Sequence, residues 1–282
     1  MQDANVASFE FALVLPHPPV LLPEVGGADA GVVVRTREAM ARAAAALREA
    51  APDVVFLAGP HAPAFGETFC VYEGQQLVGT FAEFGAREAR LMVQGAPDSV
   101  NRLIEEAEGA GLRVSPTRGV IDHGTLVPLW FLLGPPGPTW DEPPAVAAAG
   151  ASWASLDRHV ELGRVISRAA AGTHAAFICS GDLSHRLTPD APYGYTPRAA
   201  EFDALVLDVL RSGKLSDLER IPTDLAEEAG NCGLRPLCVL AGALGDGVSG
   251  EVLSYEGPFG VGYPVVLFAR QHLGGERAVA DG

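Results

Sequence analysis

An α/β fold is predicted: a single domain with a central, mostly parallel or mixed sheet flanked by helices. Three observations carry this. Short, largely apolar runs lie at residues 9–15, 53–58, 175–179 and 263–268, as in strands buried on both faces. Segments with helical periodicity lie between them. The first three runs end in Pro, Gly or Ser-Gly-Asp, each with a histidine soon after, and open α/β sheets gather reactive groups at the carboxyl ends of strands.

Residues 9–15 form the first predicted strand, stopped by Pro16-His17-Pro18-Pro19. Prolines enforce an extended path, so His17 sits on a rigid loop. Residues 34–51, rich in Ala and Arg, predict a helix. Residues 53–58 are the second strand, followed by Gly59-Pro60-His61-Ala62-Pro63, which repeats the device of strand, breaker and histidine. Residues 69–72 and 76–81 predict a hairpin or an insertion, 99–108 a helix and 112–114 a short strand. Asp122-His123-Gly124 places a histidine in a turn before an apolar segment. Residues 134–144, rich in Pro and Gly, predict a surface loop. A strand at 145–149 and a helix at 156–171 lead into strand 175–179, which delivers Ser180-Gly181-Asp182-Leu183-Ser184-His185. Helices at 199–211 and 234–244 and strands at 251–255 and 263–268 complete the chain. With no internal repeat or linker, one domain is expected over 1–273, with a flexible tail at 274–282.

Hydrophobic residues make up 48% of the 282 and charged ones 20%, which excludes a largely disordered chain. A net charge of −15 argues against nucleic-acid and anionic-membrane partners, whose phosphates it repels. No signal peptide is read at the amino terminus, no run has the length of a membrane helix, and the four cysteines (70, 179, 232, 238) form no CxxC pair. Cys179 and Cys238, inside apolar runs, are expected in the core. A cytoplasmic protein is expected.

Of seven histidines, His17, His61, His123 and His185 share the same setting. His159 and His272 lie among polar residues and are expected to be solvated, and His174 to mark a strand boundary. A lone histidine at a strand end is more often a structural residue than a ligand; four alike favour a shared site. Two histidines and a third donor make a mononuclear metal centre with open positions, and a further histidine can move protons. The third donor is sought in Glu227-Glu228-Ala229-Gly230-Asn231-Cys232-Gly233. Cys232 opens a helix whose N-terminal field favours the metal-binding thiolate. A half-buried small residue is an equal reading for it, and Glu228 is a weaker candidate.

These motifs, taken in order with Cys232-Gly233-Leu234-Arg235-Pro236-Leu237 and Leu253-Ser254-Tyr255-Glu256-Gly257-Pro258-Phe259-Gly260-Val261-Gly262-Tyr263, resemble the LigB-type class III extradiol dioxygenase superfamily. Within it, the chain most resembles the Memo-like branch of the AmmeMemoRadiSam context. The resemblance implies Fe(II) held by His17, His61 and a third ligand, with His185 as acid–base residue and His123 binding substrate or oxygen. It implies a small aromatic diol substrate, O2, and a second copy or a partner subunit. Ser184 and Tyr195 are expected to orient the substrate. The pattern's glutamate ligand falls at Cys232, where Memo-like proteins also carry cysteine. A glutamate often preceding that cysteine in the branch is Asn231 here. Thiolate is softer than carboxylate, so copper or zinc is the alternative to iron, in a metal-binding protein without dioxygenase activity or in a zinc hydrolase.

Overall fold

The computed structural model describes residues 9–63 and 65–269. The expectations for the amino terminus, for His272 and for the tail 274–282 lie outside the described residues.

Eight strands form one mixed sheet. They are β1 (Phe11–Leu15), β2 (Val54–Gly59), β3 (Phe69–Tyr72), β6 (Val114–Thr117), β7 (Ala145–Gly150), β8 (Ala175–Ser180), β9 (Glu251–Glu256) and β10 (Tyr263–Ala269), in the order β6-β3-β7-β2-β8-β1-β10-β9. Strands β1, β8, β2 and β7 are mutually parallel, while β10 and β9 add antiparallel at one edge. On the other side β3 pairs antiparallel with β7 and parallel with β6. Because β8 lies between β1 and β2, with Leu15 opposite Ser180 and Ala58 opposite Cys179, three strands end level with one another.

Alternate residues of these strands bury against two separate helical layers, giving three layers in all. Leu13, Leu57 and Ile178 face α2 (Val34–Ala50) and α4 (His123–Leu133). Val14, Phe56 and Phe177 face α3 (Pro97–Gly109), α5 (Leu156–Ala169), α6 (Arg198–Ser212) and α8 (Leu234–Leu244). Two shorter helices, α1 (Pro23–Gly26) and α7 (Thr223–Ala229), lie in connections. Residues 134–144 carry no helix or strand, as their composition predicts.

Of the hairpin or insertion expected at residues 69–72 and 76–81, the hairpin does not form. Strand β3 is buried at all four positions and joins the main sheet, whereas β4 (Gln76–Phe81) alternates between buried and open positions. The latter pairs with β5 (Ala86–Gln94), a strand not expected from sequence. His159 is a second correction. It is fully buried on α5, its Nδ1 is 2.8 Å from the Ser155 carbonyl, and its Nε2 accepts from the Ser152 amide at 3.3 Å. Its ring stands edge-on to Phe69, and burial lowers its pKa to about 4. The polar neighbours Asp157 and Arg158 lie on other faces of the same helix.

Candidate metal centre

The level ends of β1, β2 and β8 bring His17, His61 and the segment Ser180–His185 to one edge of the sheet. His17 is buried just past β1, and its amide donates to Asp182 Oδ1 at 3.0 Å. Its Nε2 lies 3.1 Å from His61 Nε2 and 3.6 Å from Cys232 Sγ. Cys232 arrives from a different part of the chain because two backbones touch. A Cβ on Gly181 would stand 2.6 Å from the Gly233 Cα, and one on Gly233 would stand 2.6 Å from the Asp182 carbonyl. Glycine at both positions brings the loop before α8 against the end of β8.

Candidate ligand atoms of His17, His61 and Cys232 all lie within 4.8 Å of one another, as do those of Asp182, His185 and Cys232. The groups share one sulfur. The two groups therefore adjoin at Cys232. Asp182 was not expected from sequence, where Ser-Gly-Asp reads as a turn. Glu228 is not part of the centre: it receives the Thr196 hydroxyl at 2.7 Å and pairs with Arg198 at 3.0 Å. Asn231, where the resemblance pattern has glutamate, accepts from the amide of Leu234, the first residue of α8, at 2.9 Å.

His123 is the first residue of α4 rather than part of a turn. Asp122 caps that helix by accepting from the Thr125 amide at 3.1 Å and is itself held by the Tyr72 hydroxyl at 2.8 Å. The His123 ring stacks on His61 with centroids 4.6 Å apart, and Phe84 packs edge-on against it. His185 stacks on Tyr193 at 5.6 Å, and its Nε2 is buried without a hydrogen-bond partner. Ser184, expected to orient substrate, is buried and its amide donates to Asp203 at 2.8 Å, while Tyr195 is half-exposed. Tyr193, two residues earlier, is the tyrosine that meets the acid–base candidate.

Electrostatics fit a cation. Loss of water lowers the pKa of His17 well below the usual value, with repulsion from His61, His123 and His185 adding to it. The same cause lowers His61 and His123, and takes His185 to about 4. All four are neutral at pH 7, the form that offers a lone pair. Burial raises Asp182 to about 7 and pushes the Cys232 thiol well up, with Asp182 adding to the latter. The expectation that the field of α8 favours thiolate is therefore corrected: Cys232 precedes the helix's N-terminal cap, Gly233, and desolvation outweighs the helix field. A divalent cation would displace that thiol proton on binding. The donor set of imidazoles, thiol and carboxylate, with the orphaned His185 Nε2 beside it, fits a transition-metal ion.

A family model described as the catalytic LigB subunit of aromatic ring-opening dioxygenase matches residues 11–266. The chain is 32% identical over 266 residues to Protein CA_C1420 of Clostridium acetobutylicum, across 90% of this chain and 56% of that protein. It thus spans about half the length of this curated relative. The crystal structure of uncharacterized protein JW3007 from Escherichia coli K12 has the same fold, with a TM-score of 0.61 at 17% identity over 92% of this chain and 99% of that one. Among the described residues no helix is long and apolar enough to cross a membrane. By the match over residues 11–266, the chain belongs to the family of the catalytic LigB subunit of aromatic ring-opening dioxygenase.

Proposed function

We propose that the protein holds Fe(II) through His17, His61 and Cys232 and opens the ring of a catechol-like aromatic with O2, beside the diol. The observation that carries this is the buried, unpartnered Nε2 of neutral His185 next to the three converging donors. A metal centre whose only task is storage gains nothing from such an atom, whereas a diol needs a base. When bound, the iron supplies a path for electrons from the diol to O2 and a positive charge that favours the ionised diol.

His185 Nε2 takes the proton of one diol hydroxyl and later returns it to product. With a pKa of about 4 it is free to accept that proton at neutral pH. Tyr193 covers one face of its ring and holds its orientation. His123, fixed by the Asp122 cap and the stack on His61, presents its ring to the same space and hydrogen-bonds substrate or oxygen. Both atoms of O2 enter the product as the carbon–carbon bond beside the diol breaks. A cytoplasmic setting would keep the four free cysteines reduced.

Cys232 supports a second reading, a metal-binding protein without ring cleavage, because thiolate favours softer ions such as copper or zinc. Metal content and O2 uptake on protein purified anaerobically with Fe(II), against a panel of catechols, separate the two. Stoichiometric iron, a yellow ring-opened product and matching O2 consumption are expected, with turnover lost in His185→Ala. Tightly held copper or zinc without turnover would overturn ring cleavage.

A further inference from the structure

We infer that Ser180 is a positioning residue that fixes which nitrogen of His17 faces the metal, and that Pro128 frees the carbonyl on which this depends. The inference rests on the metal-centre reading above.

The argument begins in α4. Pro128 lies inside that helix, and proline has no amide hydrogen, so the helical bond to the carbonyl four residues back, that of Gly124, cannot form. The fully buried Ser180, last residue of β8, directs its hydroxyl to that carbonyl. A carbonyl only accepts, so the one hydroxyl hydrogen is committed there. His17 Nδ1 lies 3.0 Å from the same Ser180 oxygen, which has only lone pairs left to offer. The imidazole must therefore carry its hydrogen on Nδ1. Neutral His17 has a single ring hydrogen, so Nε2 is bare and presents its lone pair toward His61 Nε2 and Cys232 Sγ.

In the metal-free protein the 3.1 Å contact between the two Nε2 atoms is then an N–H of His61 donating to His17. A cation takes the place of that hydrogen. Without Ser180 the Nε2–H form of His17 becomes accessible, and its hydrogen lies where the ion would bind. The chain Pro128, Gly124, Ser180, His17 thus sets a ligand's tautomer through a helix defect on one side of the sheet and a strand end within it.

The test reads the His17 ring nitrogens by 15N NMR in metal-free protein and measures Zn²⁺ affinity by chelator competition. The wild type is expected to show Nδ1–H with bare Nε2. Ser180→Ala is expected to populate both tautomers and to weaken Zn²⁺ binding about 10- to 100-fold. Pro128→Ala returns an amide hydrogen to compete for the Gly124 carbonyl. It is expected to weaken zinc by a smaller factor although α4 regains a hydrogen bond. Finding Nε2–H on His17 in the wild type, or Ser180→Ala binding zinc within about threefold of wild type, overturns the inference while the metal reading stands. A wild type that holds no zinc and no iron overturns both.

Discussion

Neutral His159 inside α5 makes a quantitative prediction about acid stability. Its pKa is about 4 in the fold against 6.5 in an unstructured chain. A histidine whose folded pKa is depressed contributes fully above pH 6.5, and that contribution is lost as pH falls through the window down to about 4. Between about pH 8 and pH 5.5 the unfolded chain takes up nearly one proton that the fold refuses, which amounts to ~1.4 kcal/mol, or about tenfold in the folding constant. Stopping near pH 5.5 keeps the protein above its isoelectric point of about 4.8. His159→Gln keeps a donor for the Ser155 carbonyl and an acceptor for the Ser152 amide but does not titrate. Urea unfolding of both proteins across that range gives the difference between them, in which the other titrating groups cancel. The wild type is expected to lose ~1.4 kcal/mol relative to the variant. A difference that stays flat with pH, or grows in the wild type's favour toward acid, would refute the account of a buried neutral imidazole.

Four further outcomes are expected. Gly181→Ala or Gly233→Ala sets a methyl 2.6 Å from opposing backbone, so each should displace Cys232 and reduce bound metal, read by elemental analysis. Tyr193→Ala removes a stack from a side chain 64% exposed, so turnover should fall while the melting temperature moves by no more than a degree or two, about the effect of ~0.5 kcal/mol. The proposed ligands His17, His61 and Cys232 come from three segments of the chain, so chelation should lower the melting temperature, and re-addition at about 100 times its dissociation constant should restore roughly 2.7 kcal/mol. Asp203→Leu leaves the buried Ser184 amide and the Tyr255 hydroxyl without their acceptor, so it should cost about 1–3 kcal/mol for each orphaned group in urea unfolding.

His17, His61 and His185 are legible in the sequence because each follows an apolar run and a breaker, and parallel strands bring their carboxyl ends to one edge. Cys232 is legible by motif, but its protonation is not, because burial is a property of the assembled fold. Asp182 and Ser180 stay hidden inside an ordinary turn signal; their roles come from contact with His17, more than 160 residues away in sequence. His159 carried a signal that its polar neighbours obscured: with Leu162, Gly163 and Ile166 it lies on one helical face, all buried. Strand β5 is obscured in the sequence because Arg87 and Glu88 are consecutive exposed positions and apolar Met92 lies on the exposed face. Tyr193, which stacks on His185, and Tyr195 are separated by Gly194 at a positive φ of 79°.

The donors enter the chain in the order 17, 61, 182, 185 and 232. During synthesis, the first two histidines emerge long before the sulfur that must join them. Until the loop carrying Gly233 seats against Gly181, a growing chain offers an ion two imidazoles and little else. If the proposed centre binds metal, capture would be reserved for chains that have completed β8 and reached α8. On the proposed centre the glycine contact would act as a checkpoint in biosynthesis: a polypeptide cut short before Cys232, or misfolded at β8, would lack the sulfur that completes the donor set.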